Sequence, residues 1–269
     1  MPRRRQTDDD REELHERRHR ARLVPVQVLH EDADLVVVHK PAGLAVWSDP
    51  AGEPSLLRLL SEAGLYDPVR RPALPYELDD PVSGLVLAPR TAEAAGELAR
   101  LAGRNGLDLR LLALVRGPVQ EPAGSIALPV APRGRGGSLL KIAESHGTPA
   151  VTDWTLQDRF VGFAMLECRT HPLVPQQVRV HLAAAAMPLA VDPAYDGADR
   201  LMLSSFKAGY RASRRRPEIP LISRVSLHAS VVSLRHPRNG EHLRVEAPLP
   251  RDFRAALHQL DRFGRLPRG

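Results

Sequence analysis

One cysteine, Cys168, stands in 269 residues, which excludes a disulfide framework and a multi-cysteine zinc site. Aromatic residues are few: five Phe, two Trp and four Tyr. A protein that stacks many bases on aromatic platforms would carry more. Long apolar runs are missing too. The longest, Leu182 to Val191, covers ten residues and is interrupted by Pro188. A bilayer span needs about 20. The N-terminal stretch is rich in Arg and Asp and has no apolar segment of the secretory type, so a cytoplasmic location is the default expectation. Several signatures are also absent: G-x-S-x-G, the Walker phosphate loop and G-x-G-x-x-G. Ser138-Leu139-Leu140-Lys141 matches S-x-x-K in two residues, without its S-D-N and K-T-G companions. His171 and His181 have no carboxylate or Cys partner at ligand spacing, so no metal site is expected.

What is present is an ordinary globular composition, 43% hydrophobic and 26% charged, with 38 Lys plus Arg against 32 Asp plus Glu. The net charge of +6 suits a polyanion partner without requiring one. Residues 1–23 read as a basic flexible tail, eight Arg and six acidic residues with almost no apolar spacing. Residues 24–265 read as one ordered domain. Leu35 to His39 is a β-branched run before the Lys40-Pro41-Ala42-Gly43 turn. Ser55 caps a helix through Ala63, stopped by Gly64. Gly84 to Ala88 is a second buried strand. Thr91 caps a helix with Ala94, Ala95, Leu98 and Leu101 on one face, ended by Asn105-Gly106. Strands follow at Leu111 to Arg116, Val151 to Gln157 and Phe163 to Arg169. Gln177 to Met187 is helical. Arg224 to Arg235 and His242 to Ala247 form a hairpin, and Asp252 to Phe263 is a closing helix. Arg133 to Gly137 is a flexible basic loop, and an Arg-rich insert lies at about 200–220. Strands outnumber helices and often follow one another directly. The expected class is α+β, with a mixed, largely antiparallel sheet flanked by helices and loops. A monomer is the default expectation.

One segment stands out for chemistry. Tyr76-Glu77-Leu78-Asp79-Asp80-Pro81-Val82-Ser83-Gly84-Leu85 carries three carboxylates on a loop that leads into a strand. A loop carboxylate at a sheet edge can serve as nucleophile or general base. Asp-Pro and Ser-Gly are equally the chemistry of a plain turn.

The order of segments resembles the RluA-like RNA pseudouridine synthases. His30 to Leu44 is similar to their first strand and K-P-A/S-G turn. Leu78-Asp79 with Ser83-Gly84-Leu85 resembles the second half of H-R-L-D-x-x-T-S-G-L. Leu112 to Gly117 resembles the Y-L-A-L-V-x-G strand, Gln177 to Leu182 resembles H-Q-I-R-V-H-L, and Asp192 to Gly197 resembles the G-D-x-x-Y-G turn. Leu227-His228-Ala229 and Ala247 to Phe253 resemble the closing segments.

The resemblance implies isomerisation of uridine to pseudouridine in structured RNA, rRNA or tRNA, without a cofactor. The base is detached from its ribose, rotated and rejoined through carbon, which requires it to leave the stack. By position the essential aspartate is Asp79 and its ion-pair partner is Arg179. A carboxylate desolvated under a nucleotide tends to protonate, and a guanidinium opposes this. Tyr76, Leu111 and Gln177 are expected beside the substrate. Lys207, Arg211 and Arg214 of the insert are expected to touch RNA.

The departures are as specific as the matches. Tyr76-Glu77 replaces the H-R pair, whose Arg faces the RNA and helps fill the gap left by the flipped base. A Glu about 4 Å from a phosphate would be repelled by roughly 1 kcal/mol in water and about 4 at an effective dielectric of 20. Leu111 replaces the active-site Tyr, and loss of a proton-transfer group typically costs about 10²–10⁴ in rate. T-G-R-T-H-Q has become Pro172 to Gln177, so a basic segment is now apolar. The alternative is therefore an inactive RNA- or ribosome-binding protein on the same fold, or a protein scaffold that no longer sees RNA.

Overall fold

The computed structural model describes residues 26–47, 54–67, 73–134, 139–211 and 217–266. The expected tail, Arg214 and most of the Arg133–Gly137 loop lie outside them. The strands are β1 Gln27–Glu31, β2 Leu35–Lys40, β3 Ser83–Pro89, β4 Leu107–Arg116, β5 Ala123–Ala127, β6 Val130–Pro132, β7 Leu140–Ile142, β8 Val151–Phe160, β9 Phe163–His171, β10 Leu227–Arg235 and β11 His242–Glu246. The helices are α1 Leu56–Glu62, α2 Ala92–Gly103, α3 Gln177–Ala184 and α4 Arg251–Gly264.

Nine strands make one sheet in the order β1-β2-β3-β10-β4-β9-β8-β5, with β11 also on β10. Every pairing is antiparallel except β3 with β10. β6 and β7 form a separate two-stranded ribbon. The mixed, largely antiparallel sheet expected from the sequence is what the chain forms. The parallel contact is short, His228 to Ser83 and Ala229 to Gly84. It brings the closing segment of the chain against the strand that follows Asp79.

The helix ends follow from capping chemistry. Ser55 Oγ accepts from Arg58 N, and Thr91 Oγ1 accepts from Ala94 N at 3.1 Å. Asn105 takes a left-handed φ of 56° where α2 stops. Ala94, Ala95, Leu98 and Leu101 are the buried face of α2, as their spacing predicts. The β5, β6 and β7 strands carry no clear period-2 pattern and escape a reading of the sequence.

The sheet separates two apolar clusters. Along β4, Leu111, Ala113 and Val115 face the larger cluster with α1 and α2. Leu112 and Leu114 face the other, packed by Phe253, Ala256 and Leu260 of α4. The alternation is the period-2 geometry of a strand buried on both sides. The insert is an excursion whose ends pair, Leu201 with Ile222. Among the described residues no helix is long and apolar enough to cross a membrane.

Candidate active site

Asp79 lies on the loop between α1 and β3. Its own carbonyl accepts from Val82 N at 2.9 Å, closing a tight turn. The loop is held from below by the Lys40-Pro41-Ala42-Gly43 turn. Gly43 N donates to the Asp80 carbonyl at 2.7 Å, and Lys40 Nζ donates to the same carbonyl at 2.9 Å. Lys40 Nζ also donates to Leu44 O at 2.7 Å and Pro41 O at 3.2 Å. This lysine is fully buried. Burial pulls its pKa down to about 8, against the opposing pull of Asp80 and Asp79. Three carbonyls satisfy its three N–H groups, which is how a buried lysine is tolerated.

The Asp79 carboxylate points at the start of α3. Oδ1 accepts from Gln176 N at 3.1 Å, and Oδ2 accepts from Arg179 Nη1 at 3.1 Å. Gln176 has a left-handed φ of 62°, which turns its N–H out of the helix and toward the loop. An orphan donor at a helix N-terminus is a natural seat for a carboxylate. Arg179 is shared. Its Nε and Nη2 make a two-pronged contact with fully buried Asp192, at 2.7 and 2.8 Å. The guanidinium carbon lies 4.9 Å from the centre of the Tyr195 ring. Tyr195 Oη donates to Gln176 Oε1 at 2.5 Å, so the ring ties Arg179 and the α3 N-terminus together.

Only 10% of the Asp79 side chain is exposed. Burial pushes its pKa above the ordinary carboxylate value, and Asp192 adds to the rise; Arg179 and the Gln176 N–H pull the other way without restoring it. The reason is the sharing. Arg179 spends two N–H groups on Asp192 and one on Asp79.

Asp79 opens onto a cleft with about 390 Å³ of empty space, counted to its mouth. Glu77, Thr170, Gln177 and Arg179 supply polar groups, and Leu109, Leu111, Val174, Pro175 and Leu227 supply an apolar wall. Asp79, Arg179, Tyr76, Leu111 and Gln177 are thus brought to one place. Tyr76 lends its ring only, because its hydroxyl donates to the Leu85 carbonyl at 3.0 Å and is buried. It does not stand in for the tyrosine that Leu111 replaces. Gln177 Nε2 donates to Val151 O at 2.7 Å, leaving its buried Oε1 without a partner. Lys207 and Arg211 do not line the cleft. Lys207 Nζ lies 4.4 Å from the centre of the Phe263 ring, beside α4, and Arg211 is exposed on the insert. Asp192, Tyr195 and Lys40 were within matched segments, but nothing local in the sequence marks them as parts of the site.

Residues 34–184 match the sequence profile of the family described as RNA pseudouridylate synthase. The chain belongs to this family. The matched span runs from β2 to α3 and includes Asp79 and Arg179. Its reaction is isomerisation of uridine to pseudouridine in RNA, and the reading as an inactive binding protein is not favoured. The ribosomal large subunit pseudouridine synthase D of Xanthomonas campestris is 33% identical over 245 residues, covering 88% of this chain and 70% of that one. Its namesake in Nitrosomonas europaea is 30% identical over 244 residues, covering 90% and 67%. Among solved structures, human RNA Pseudouridylate Synthase Domain Containing 4 superposes with a TM-score of 0.65 at 22% identity, covering 95% of this chain and 99% of that one. That likeness concerns the fold.

Proposed function

We propose that Asp79 is the catalytic carboxylate of this pseudouridine synthase, that Arg179 holds it, and that the substrate is ribosomal RNA of the large subunit. The observation that carries the assignment is the buried Asp79–Arg179–Asp192 relay at the floor of the cleft. A carboxylate raised above its ordinary pKa is a stronger base and nucleophile than a solvated one, and the neighbouring guanidinium favours its ionised form. The two ribosomal relatives named above support the substrate class.

Uridine and pseudouridine are isomers, so the reaction balances within the nucleotide. The N1–C1′ bond breaks, the C5–C1′ bond forms, and the proton displaced from C5 is made good at N1. Asp79 acts on the sugar, either at C1′ or as a base on the ribose. The apolar wall with Leu111 gives the freed uracil a surface that does not bond it, which permits rotation. Leu111 cannot carry the C5 proton, so that proton leaves through water or Asp79 itself, and a slow turnover is expected.

The test is pseudouridine mapping of total RNA from a deletion strain rescued with wild-type protein or with Asp79→Asn. Loss of one large-subunit rRNA uridine's modification, restored by wild type alone, is the expected result. Modification that persists with Asp79→Asn would overturn the assignment, and a lost site confined to tRNA would overturn the substrate.

A further inference from the structure

Trp47 is the exposed aromatic among the large apolar side chains, 40% accessible, whereas Trp154 is 8% accessible. Its Nε1 donates to Glu77 Oε1 at 2.8 Å. Glu77 lines the cleft two residues before Asp79. The backbone just before the indole is fixed, because Ala45 O and Val46 O accept from Leu56 N and Leu57 N at the start of α1. Val46 is buried, and the turn preceding it is the one that grips the Asp80 carbonyl. The indole and the Asp79 loop therefore share one scaffold. Among the described residues no ring or cation packs on the indole.

The charge at this rim restricts what can approach. Glu77 is exposed in the cleft lining, so a phosphate is repelled here and a base is not. Extruding one nucleotide leaves its neighbour without a stacking partner on one side. A flat apolar ring at the cleft mouth, oriented by a carboxylate that also repels the backbone, replaces that partner.

We propose that the Trp47 indole, held by Glu77, is the stacking surface for the RNA base flanking the extruded uridine. The inference rests on the reading of the cleft as the uridine site, and its test separates the two. A Trp154→Phe protein keeps Trp47 as its single tryptophan. Titration with an unmodified large-subunit rRNA transcript, excited at 295 nm, is expected to quench its emission with the midpoint seen by filter binding. Trp47→Ala should weaken binding by about 5- to 150-fold, the range for one lost base stack, at unchanged melting temperature. Trp47→Phe should recover most of it. Glu77→Ala removes both the hold on the indole and a charge that repels phosphate, so the two changes should be non-additive: Glu77→Ala should be less favourable to binding in the wild-type background than in the Trp47→Ala background. A bound transcript that leaves the emission unchanged, or a Trp47→Ala protein with wild-type Kd, overturns the proposal, as does a transcript that does not bind. Quenching by a transcript in which wild type forms no pseudouridine would instead overturn the substrate reading and leave the stacking surface standing.

Discussion

Asp79 and Arg179 illustrate how far a single side chain is defined by others. Asp192 takes the two-pronged share of the guanidinium, so burial outweighs attraction at Asp79 and its pKa lies above the usual carboxylate value. Two outcomes follow. With Asp79 as the proposed catalytic carboxylate, the active form is the ionised one, so kcat/KM should fall as pH is lowered, with a midpoint above the ordinary carboxylate range; a pH profile of pseudouridine formation checks this. For stability the sign is opposite. A folded-state pKa above the unfolded value means that the folded protein binds the proton more tightly, so stability is lost as pH rises from the ordinary range through the raised value. Asp79→Asn should remove that loss and melt no lower than wild type at neutral pH, while being inactive. Removing Arg179 is different: Arg179→Ala strands two buried carboxylates and should cost about 3–5 kcal/mol by denaturant unfolding. Asp79 and Arg179 were legible because both lie in short, recognisable segments. Asp192 was not, since its role depends on where α3 brings the guanidinium. Lys40 was hidden by its type, because lysines are rarely fully buried unless paired.

At the level of elements, the placement of the Asp79 loop depends on the first residues of β3. Gly84 has a φ of +128°, and a Cβ built on it would sit 2.2 Å from the Ala229 carbonyl oxygen of β10. The parallel β3–β10 contact exists because this position has no side chain. Gly84→Ala should therefore cost about 3 kcal/mol, seen as a fall of roughly 6–12 °C in Tm, and should lower kcat by shifting the adjacent loop. Gly96 in α2 is the internal contrast: a Cβ there meets nothing within 4 Å. Gly96→Ala should raise stability by about 0.5–1 kcal/mol. The elements with strong local signals, α1, α2 and α4 among them, lie where caps and spacing put them. The Gln177 helix is shorter than its apolar run, ending at Ala184, and Ala186 then adopts a φ of 58°. The apolar residues beyond it, Leu189 to Val191, are buried in the two clusters, so hydrophobicity there reports core packing and not helix length.

At the scale of the molecule, Glu77 is an exposed carboxylate in the cleft lining, and Arg211 is exposed on the insert outside it. We propose different surfaces for affinity and for chemistry. Arg211, exposed on the insert and outside the cleft lining, is proposed as a phosphate contact that holds the RNA from a distance. Each neutralised phosphate contributes about 0.7–0.9 to the slope of log K against log salt. Arg211→Ala should flatten the slope for a large-subunit rRNA transcript by about that amount, weaken binding to all RNA alike, and leave kcat at saturating RNA unchanged. An unaltered slope would remove Arg211 from the RNA-contact surface. Lys207 behaves differently because its ammonium is engaged over the Phe263 ring. Its replacement by alanine should cost about 0.5–1 kcal/mol of stability and change the salt slope less than Arg211→Ala does. The separation has a functional logic. On that proposal, a Glu77 that repels phosphate and an Arg211 that attracts it hold the flanking backbone off the cleft mouth and leave the cleft to the extruded nucleotide, whose ribose must reach Asp79.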